Sequence, residues 1–137
     1  MLERPLRMEL AHEFLDDAKH LLEGGSLRSA ISRAYYAAYH ACVWALEHEG
    51  YLPENFRRRD GTRPSRWEHG IICYAFHQVF GLARRCIEHR LTRMLPRLYA
   101  WRIDADYHPD AMFAEAEAQE AINLASELIS VIEEVVL

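Results

Sequence analysis

The fold this sequence predicts is all-α: a single-domain antiparallel bundle of four to five helices. Three observations carry that expectation. Apolar residues recur at steps of three and four along most of the chain, and no run alternates as a strand would. The six glycines and five prolines gather at a few places and leave long stretches uninterrupted. The 137 residues fit one domain over 1–137, with one core.

The first helix is expected from Leu6 to Glu23, with Leu10, Phe14, Ala18, Leu21 and Leu22 as its apolar stripe and Gly24-Gly25 as its stop. Ser26 is placed to cap the second helix, which runs to about Glu49. Ile31, Ala34, Ala38, Cys42 and Ala45 give that helix a small-residue stripe. Tyr36, Tyr39, Val43 and Trp44 give it an aromatic one. A helix apolar on several sides is buried on several sides, so it is either the centre of the bundle or the place where a second subunit docks.

Residues 50–66 form the one long connection, with Pro53, Gly61 and Pro64 and the cations Arg57, Arg58, Arg59, Arg63 and Arg66. At that length it is expected to be either functional or disordered. A third helix spans Trp67 to Phe80, with Ile72, Phe76, Val79 and Phe80 inward, and Gly81 weakens or ends it. A basic helix covers Leu82–Leu95, and Pro96 breaks or restarts it toward Asp106. His108-Pro109 marks a boundary. Asp110 is placed to cap a last helix whose stripe runs from Ala114 to Val136.

The most apolar run, Tyr35 to Leu46, falls short of the roughly 20 residues a membrane span needs. The start, Met1 to Pro5, shows no leader core or cleavage site, and a cytoplasmic location is expected. Cys42, Cys73 and Cys86 stand alone among apolar residues and read as reduced thiols. Glu9 and His12 form one Glu-x-x-His turn of the kind a di-iron bundle uses, but the full ligand set is absent and no zinc spacing occurs. Neither a metal nor a cofactor is expected.

The net charge of −5 conceals an asymmetry: residues 1–56 carry −4, residues 57–102 carry +8 and residues 103–137 carry −9. The basic third can attract phosphate, or it can pair with the acidic flanks. Arg33, on the second helix, needs an acidic partner if it is buried, and Asp104 and Asp106 are candidates. The densest chemistry lies in Arg102-Ile-Asp-Ala-Asp-Tyr-His108, at a helix end. There a fixed cation, two carboxylates, a phenol and an imidazole crowd together. Arg102 and Asp106 share a helical face. His108 joins them only where the helix breaks before Pro109.

Ser29-Ala-Ile-Ser-Arg-Ala-Tyr-Tyr-Ala-Ala-Tyr-His40 resembles the Ser-x-x-Tyr-Tyr-Ala helix of prokaryotic HEPN domains, the higher-eukaryote and prokaryote nucleotide-binding helical domains. Trp67-Glu-His-Gly-Ile-Ile72 resembles a segment opening the next helix in one branch, which places His69 at a helix start as a capping or packing residue. Arg102-Ile-Asp-Ala-Asp-Tyr107 resembles that branch's Arg-x-x-Ala-Asp-Tyr segment. The resemblance implies a homodimer formed through helix 26–49 and a role in binding RNA or nucleotide, with or without catalysis. The alternative it implies is a metal-independent endoribonuclease toxin, paired with a nucleotidyltransferase-type partner. Arg102 would then hold the phosphorane and His108 would move the proton. The basic loop would grip the strand. At the commonest His position of those toxins this chain has Tyr107, a phenol and therefore a poor base at neutral pH. Asp104 and Asp106 also add negative charge where a phosphate would sit. A purely structural or protein-binding dimer is the third reading.

Overall fold

The computed structural model describes residues 6–136, and every regular element among them is helical. Residues 1–5, on which the expectation of no leader rests, and Leu137 lie outside the described residues. The order is α1 (Leu6–Glu23), α2 (Leu27–His48), α3 (His69–Phe76), α4 (His89–Thr92), α5 (Met94–Tyr107) and α6 (Glu115–Val136). α4 is a single turn. No helix among the described residues is long and apolar enough to cross a membrane.

α2 is the axis of the bundle and packs against α1, α6, α5 and α3. Its small-residue stripe and its lower aromatic stripe are both buried, with Ile31, Ala34, Ala38, Cys42, Val43 and Ala45 wholly inaccessible. Alanines at these positions let the neighbouring backbones come close. The apolar surround of α2 is thus absorbed within one chain. What stays outward is a stripe of Ser29, Arg33, Tyr36, His40 and Glu47.

The buried face of α1 is rotated from the expected one. Met8, Ala11, Leu15 and Ala18 face the core, while Leu10, Phe14, Leu21 and Leu22 lie at its margin. Alanines 11 and 18 permit close contact with α2. The Phe14 ring instead covers α2's outer stripe, stacked on His40 at 5.5 Å and lying under the Arg33 guanidinium at 5.0 Å. α1 stops as expected: Gly25 takes a φ of +80°. The amides of Gly25 and Ser26 return to the carbonyls of Leu22 and Leu21. The same motif, with Gly50 at +89°, ends α2. Ser26 occupies the N-cap position of α2 but makes no side-chain cap bond, contrary to expectation.

The long connection is ordered by its own side chains. Tyr51, Phe56 and Trp67 form a row of rings 5.7 and 5.9 Å apart, and Pro53 and Pro64 are buried. The Tyr39 hydroxyl donates to the Trp67 carbonyl at 2.7 Å. The third helix begins at His69 and widens into a π-helical segment, His77–Ala83, so Gly81 neither ends nor interrupts it. The expected basic helix over Leu82–Leu95 is not formed. Residues 84–88 are irregular, with Arg85 at a φ of +54°, and the short α4 and the start of α5 follow. Pro96 then sits in the first turn of α5, where its missing N–H costs nothing. Asp110 does not cap α6: the helix starts later, and the Glu117 carboxylate accepts the Ala114 amide at 2.9 Å. α6 buries Ala118, Ala121, Ile122, Ala125, Leu128, Ile129, Ile132 and Val136.

The three cysteines are free. Cys42 is buried, and Cys73 and Cys86 are half-buried. Burial pushes the Cys73 thiol up to about 12, so it stays protonated. His12 of the Glu-x-x-His turn is hydrogen-bonded to Glu133 of α6 at 2.9 Å. Among the described residues no three His, Cys, Asp or Glu side chains gather as a metal site.

Two expectations about stability follow. A Cβ on Gly81 would lie 2.9 Å from His77 Nδ1 and 3.0 Å from Thr92 Oγ1, two atoms that are themselves bonded at 2.6 Å. Gly81→Ala should therefore cost about 1–3 kcal/mol by overpacking, read as a lower urea midpoint with unchanged slope. His40 is held neutral by burial first and by Arg7 second, which lower it from 6.5 to about 4. Arg7 donates to its Nδ1 at 3.1 Å. A depressed folded-state value confers stability above the unfolded value, and this is lost as pH falls toward the folded one. The thermal midpoint should drop between pH 6.5 and about 4, and His40→Gln should flatten the profile in that window.

Candidate phosphate-binding site at the end of α5

α5 runs outward along α2 and stops at Tyr107, because Pro109 forces His108 out of the helical region. His108 is extended, with φ −115° and ψ 92°. The helix end therefore projects Arg102, Asp106, Tyr107 and His108 at the surface beside the outward stripe of α2.

Arg102 is the best-buried member, with its side chain 12% exposed. Its guanidinium lies over the Tyr36 ring at 5.2 Å and the Tyr107 ring at 5.3 Å. Two such contacts on a partly desolvated guanidinium are each worth about 0.5–2 kcal/mol. Nε is 2.9 Å from Asp106 Oδ2, close enough for an ion pair. The N–H is not aimed at that oxygen, however, and this buried Nε has no hydrogen-bond partner among the described residues. The Tyr107 hydroxyl is 3.5 Å from Nη2. Ser32 donates to the same Asp106 oxygen at 3.1 Å, so α2 holds the carboxylate from the other side. Burial works to lower the Arg102 pKa, but Tyr36, Asp106 and Tyr107 outweigh it and raise the value.

His108 is turned elsewhere. Its Nε2 lies 3.9 Å from Asp104 Oδ1, and its ring is half-exposed. Within one chain the helix end thus sorts into two pairs, Arg102 with Asp106 and His108 with Asp104. Tyr107 is exposed and stands at the Arg102 guanidinium.

Behind Arg102 lies an aromatic floor. His69, the first residue of α3, stacks on Tyr99 at 4.4 Å and is hydrogen-bonded to the buried Tyr35 hydroxyl. Burial first, then the Arg102 charge, lowers the His69 pKa, so the imidazole is neutral at neutral pH. Burial likewise pushes Tyr35 well up, which keeps the phenol protonated.

The remaining expected residues spread out. Arg33 is exposed and lies on Phe14, so it needs no carboxylate, and its two candidate partners are engaged by Arg102 and His108. Arg58 is locked onto Glu68 by bonds of 2.8 and 2.7 Å. Arg63 donates to the Glu54 carbonyl at 2.9 Å. Arg66 borders a depression beside Arg7, Glu47 and Trp67, and Arg57 and Arg59 border another beside α3. The pairing reading of the charge asymmetry holds for part of the basic third. Arg84, Arg90 and Arg97 pair with Glu49, Glu127 and Glu120, whereas Arg57 and Arg59 have no acidic partner among the described residues.

Sequence reading missed Arg28. From α2 its guanidinium donates to the carbonyls of Asp104 at 3.3 Å, Ala105 at 3.0 Å, His108 at 2.9 Å and Pro109 at 3.1 Å, and also to that of Ala111. One side chain caps two carbonyls of the last turn of α5, those of Asp104 and Ala105, and fixes the turn that follows through three more. No local pattern announces this, because Arg28 meets these groups only across the fold. Ser32 and Tyr36 did carry a signal, being four apart on one face of α2.

Family-model comparison matches the HEPN domain to residues 6–53, which spans α1, α2 and the first residues after them. The match supports the resemblance in these two helices and ends well before Arg102. A search of curated proteins finds no match.

Arg28→Gln removes most of these donors. Amide hydrogen exchange should rise across residues 104–114 while α1 and α6 keep their protection. The global loss should be about 1–3 kcal/mol, the usual cost of stranding partly buried polar groups.

Proposed function

We propose that this is a HEPN-like protein that binds RNA or nucleotide phosphate at the Arg102 face, without needing catalysis. The observation that carries the reading is the Arg102 guanidinium set between the Tyr36 and Tyr107 rings, with its Nε unsatisfied and an exposed ring beside it. A phosphate oxygen is the acceptor such a fork fits, and Tyr107 offers a surface on which a base can stack. Asp106 is the competitor. Its bond from Ser32 gives the carboxylate a partner to keep when an anion displaces it from Nε.

The expected homodimer belongs to this proposal in altered form. The part of α2 that no other helix buries is the stripe of Ser29, Arg33, Tyr36 and His40, with Ser29 and Arg33 exposed and Tyr36 and His40 partly covered by Arg102 and Phe14. A second copy meeting that stripe would border the Arg102 face and give it a second wall, so light scattering at micromolar concentration should report a dimer.

One observation favours the cleavage reading, with its nucleotidyltransferase-type partner, as a second possibility. His108 is exposed, adjoins the same helix end and has a carboxylate to orient it. In that case the imidazole takes the proton of a ribose 2′-OH, the freed oxygen attacks the neighbouring phosphorus to give a 2′,3′-cyclic phosphate, and the 5′-oxygen leaves as a hydroxyl with a proton from water. Arg102 stabilises the charged intermediate.

Both readings are tested together. Arg102→Ala should weaken binding of a single-stranded RNA by about tenfold at low salt, and wild-type affinity should fall linearly in log–log form as salt rises. Wild-type binding that ignores salt would refute phosphate contact. RNA incubated with and without EDTA separates the two. Intact RNA in both supports binding alone, and metal-independent cutting abolished by His108→Ala and Arg102→Ala supports the enzyme.

A further inference from the structure

We infer that the groove between the Arg57–Arg59 segment and α3 is a second nucleotide subsite, which takes a base on Tyr74 and its phosphate between Arg57 and Arg59. This rests on the RNA reading above and deepens it: the ligand is a strand of several nucleotides, not a lone nucleotide.

The groove encloses about 660 Å³, within the range of small-ligand sites. Its charge is already sorted. Arg58 and Glu68 neutralise each other through two bonds, and Thr62 holds the Arg58 Nη1 at 2.9 Å. That leaves Arg57 and Arg59, exposed and without an acidic partner among the described residues, in the lining of the same groove. Two guanidinium groups lining one groove can each donate a fork of N–H bonds to a tetrahedral anion.

The floor is apolar. Ile71 is buried, and Tyr74, one turn further along α3, is 53% exposed where most large rings of this protein are covered. An exposed phenol ring beside two free arginines is what a stacked base with its phosphate requires. Gly70 leaves the edge open, since a Cβ there would touch nothing within 4 Å.

Continuity with the Arg102 face favours a nucleic acid over an acidic peptide. The first turn of α3 divides the two regions: Gly70 borders the groove, and His69 beside it turns the other way, onto Tyr99 and toward the Arg102 charge. A strand long enough to cross this turn would bring a phosphate to each site.

The test uses non-cleavable 2′-O-methyl oligouridylates with the full chain, a dinucleotide followed by NMR and an octanucleotide followed by fluorescence anisotropy. Tyr74→Ala, and separately Arg57→Gln with Arg59→Gln, should weaken the octanucleotide by about tenfold and leave the dinucleotide unchanged. Gly70→Leu fills the groove from an unobstructed position and should do the same, with circular dichroism reporting an intact fold. Octanucleotide binding untouched by all three variants overturns the subsite. So does a polyglutamate peptide that binds more tightly than RNA and is lost in the same variants. Arg102→Ala should weaken both ligands. If it changes neither while the groove variants still weaken the octanucleotide, the Arg102 reading fails and the groove subsite stands.

Discussion

Everything in this protein is arranged around a helix that its own chain covers on nearly every side. α2 can be wrapped by α1, α3, α5 and α6 because alanines and one cysteine occupy the positions where those helices cross it. Close approach of backbones gives dense packing with little side-chain entropy to lose. A larger side chain at any of these wholly buried alanines would push a neighbouring helix away, and α5 is the neighbour that carries the candidate site.

The site follows from that packing. α5 lies on α2, so its end meets half-buried residues of α2: Ser32 binds Asp106, Tyr36 underlies Arg102, and Arg28 ties down carbonyls from Asp104 to Ala111. A helix that ends before a proline would ordinarily leave its last carbonyls to water. Here a guanidinium replaces the water, and the turn holding His108 becomes a fixed feature instead of a frayed end. The same geometry separates the two pairs, because Asp106 lies at the Arg102 guanidinium and Asp104 lies toward the His108 ring.

Much of the bundle was legible in the chain. The glycine stops at Gly25 and Gly50, the stripes of α2 and α6 and the break at His108-Pro109 are all local signals, and local backbone preferences decide them. Where reading failed, a contact distant in sequence had overridden a local pattern. The α1 stripe was placed on Leu10, Phe14, Ala18, Leu21 and Leu22, but packing selected Met8, Ala11, Leu15 and Ala18 and left Phe14 for a cation. The basic run after Gly81 scans as a helix, yet the chain leaves the π-helical segment by a turn at Arg85 and comes back so that Thr92 bonds His77.

By itself the sequence determined that this is a helical chain with a buried central helix, and that Arg102, Asp106, Tyr107 and His108 crowd one helix end. Helical periodicity and proline sterics act over a few residues and can be read there. The tertiary structure alone decided which of those groups face one another, that Arg28 and Tyr36 complete the arrangement from another helix, and that Arg57 and Arg59 stay free while their neighbours pair. Such choices depend on distances between segments far apart in the chain, and only the packing of the bundle sets those distances.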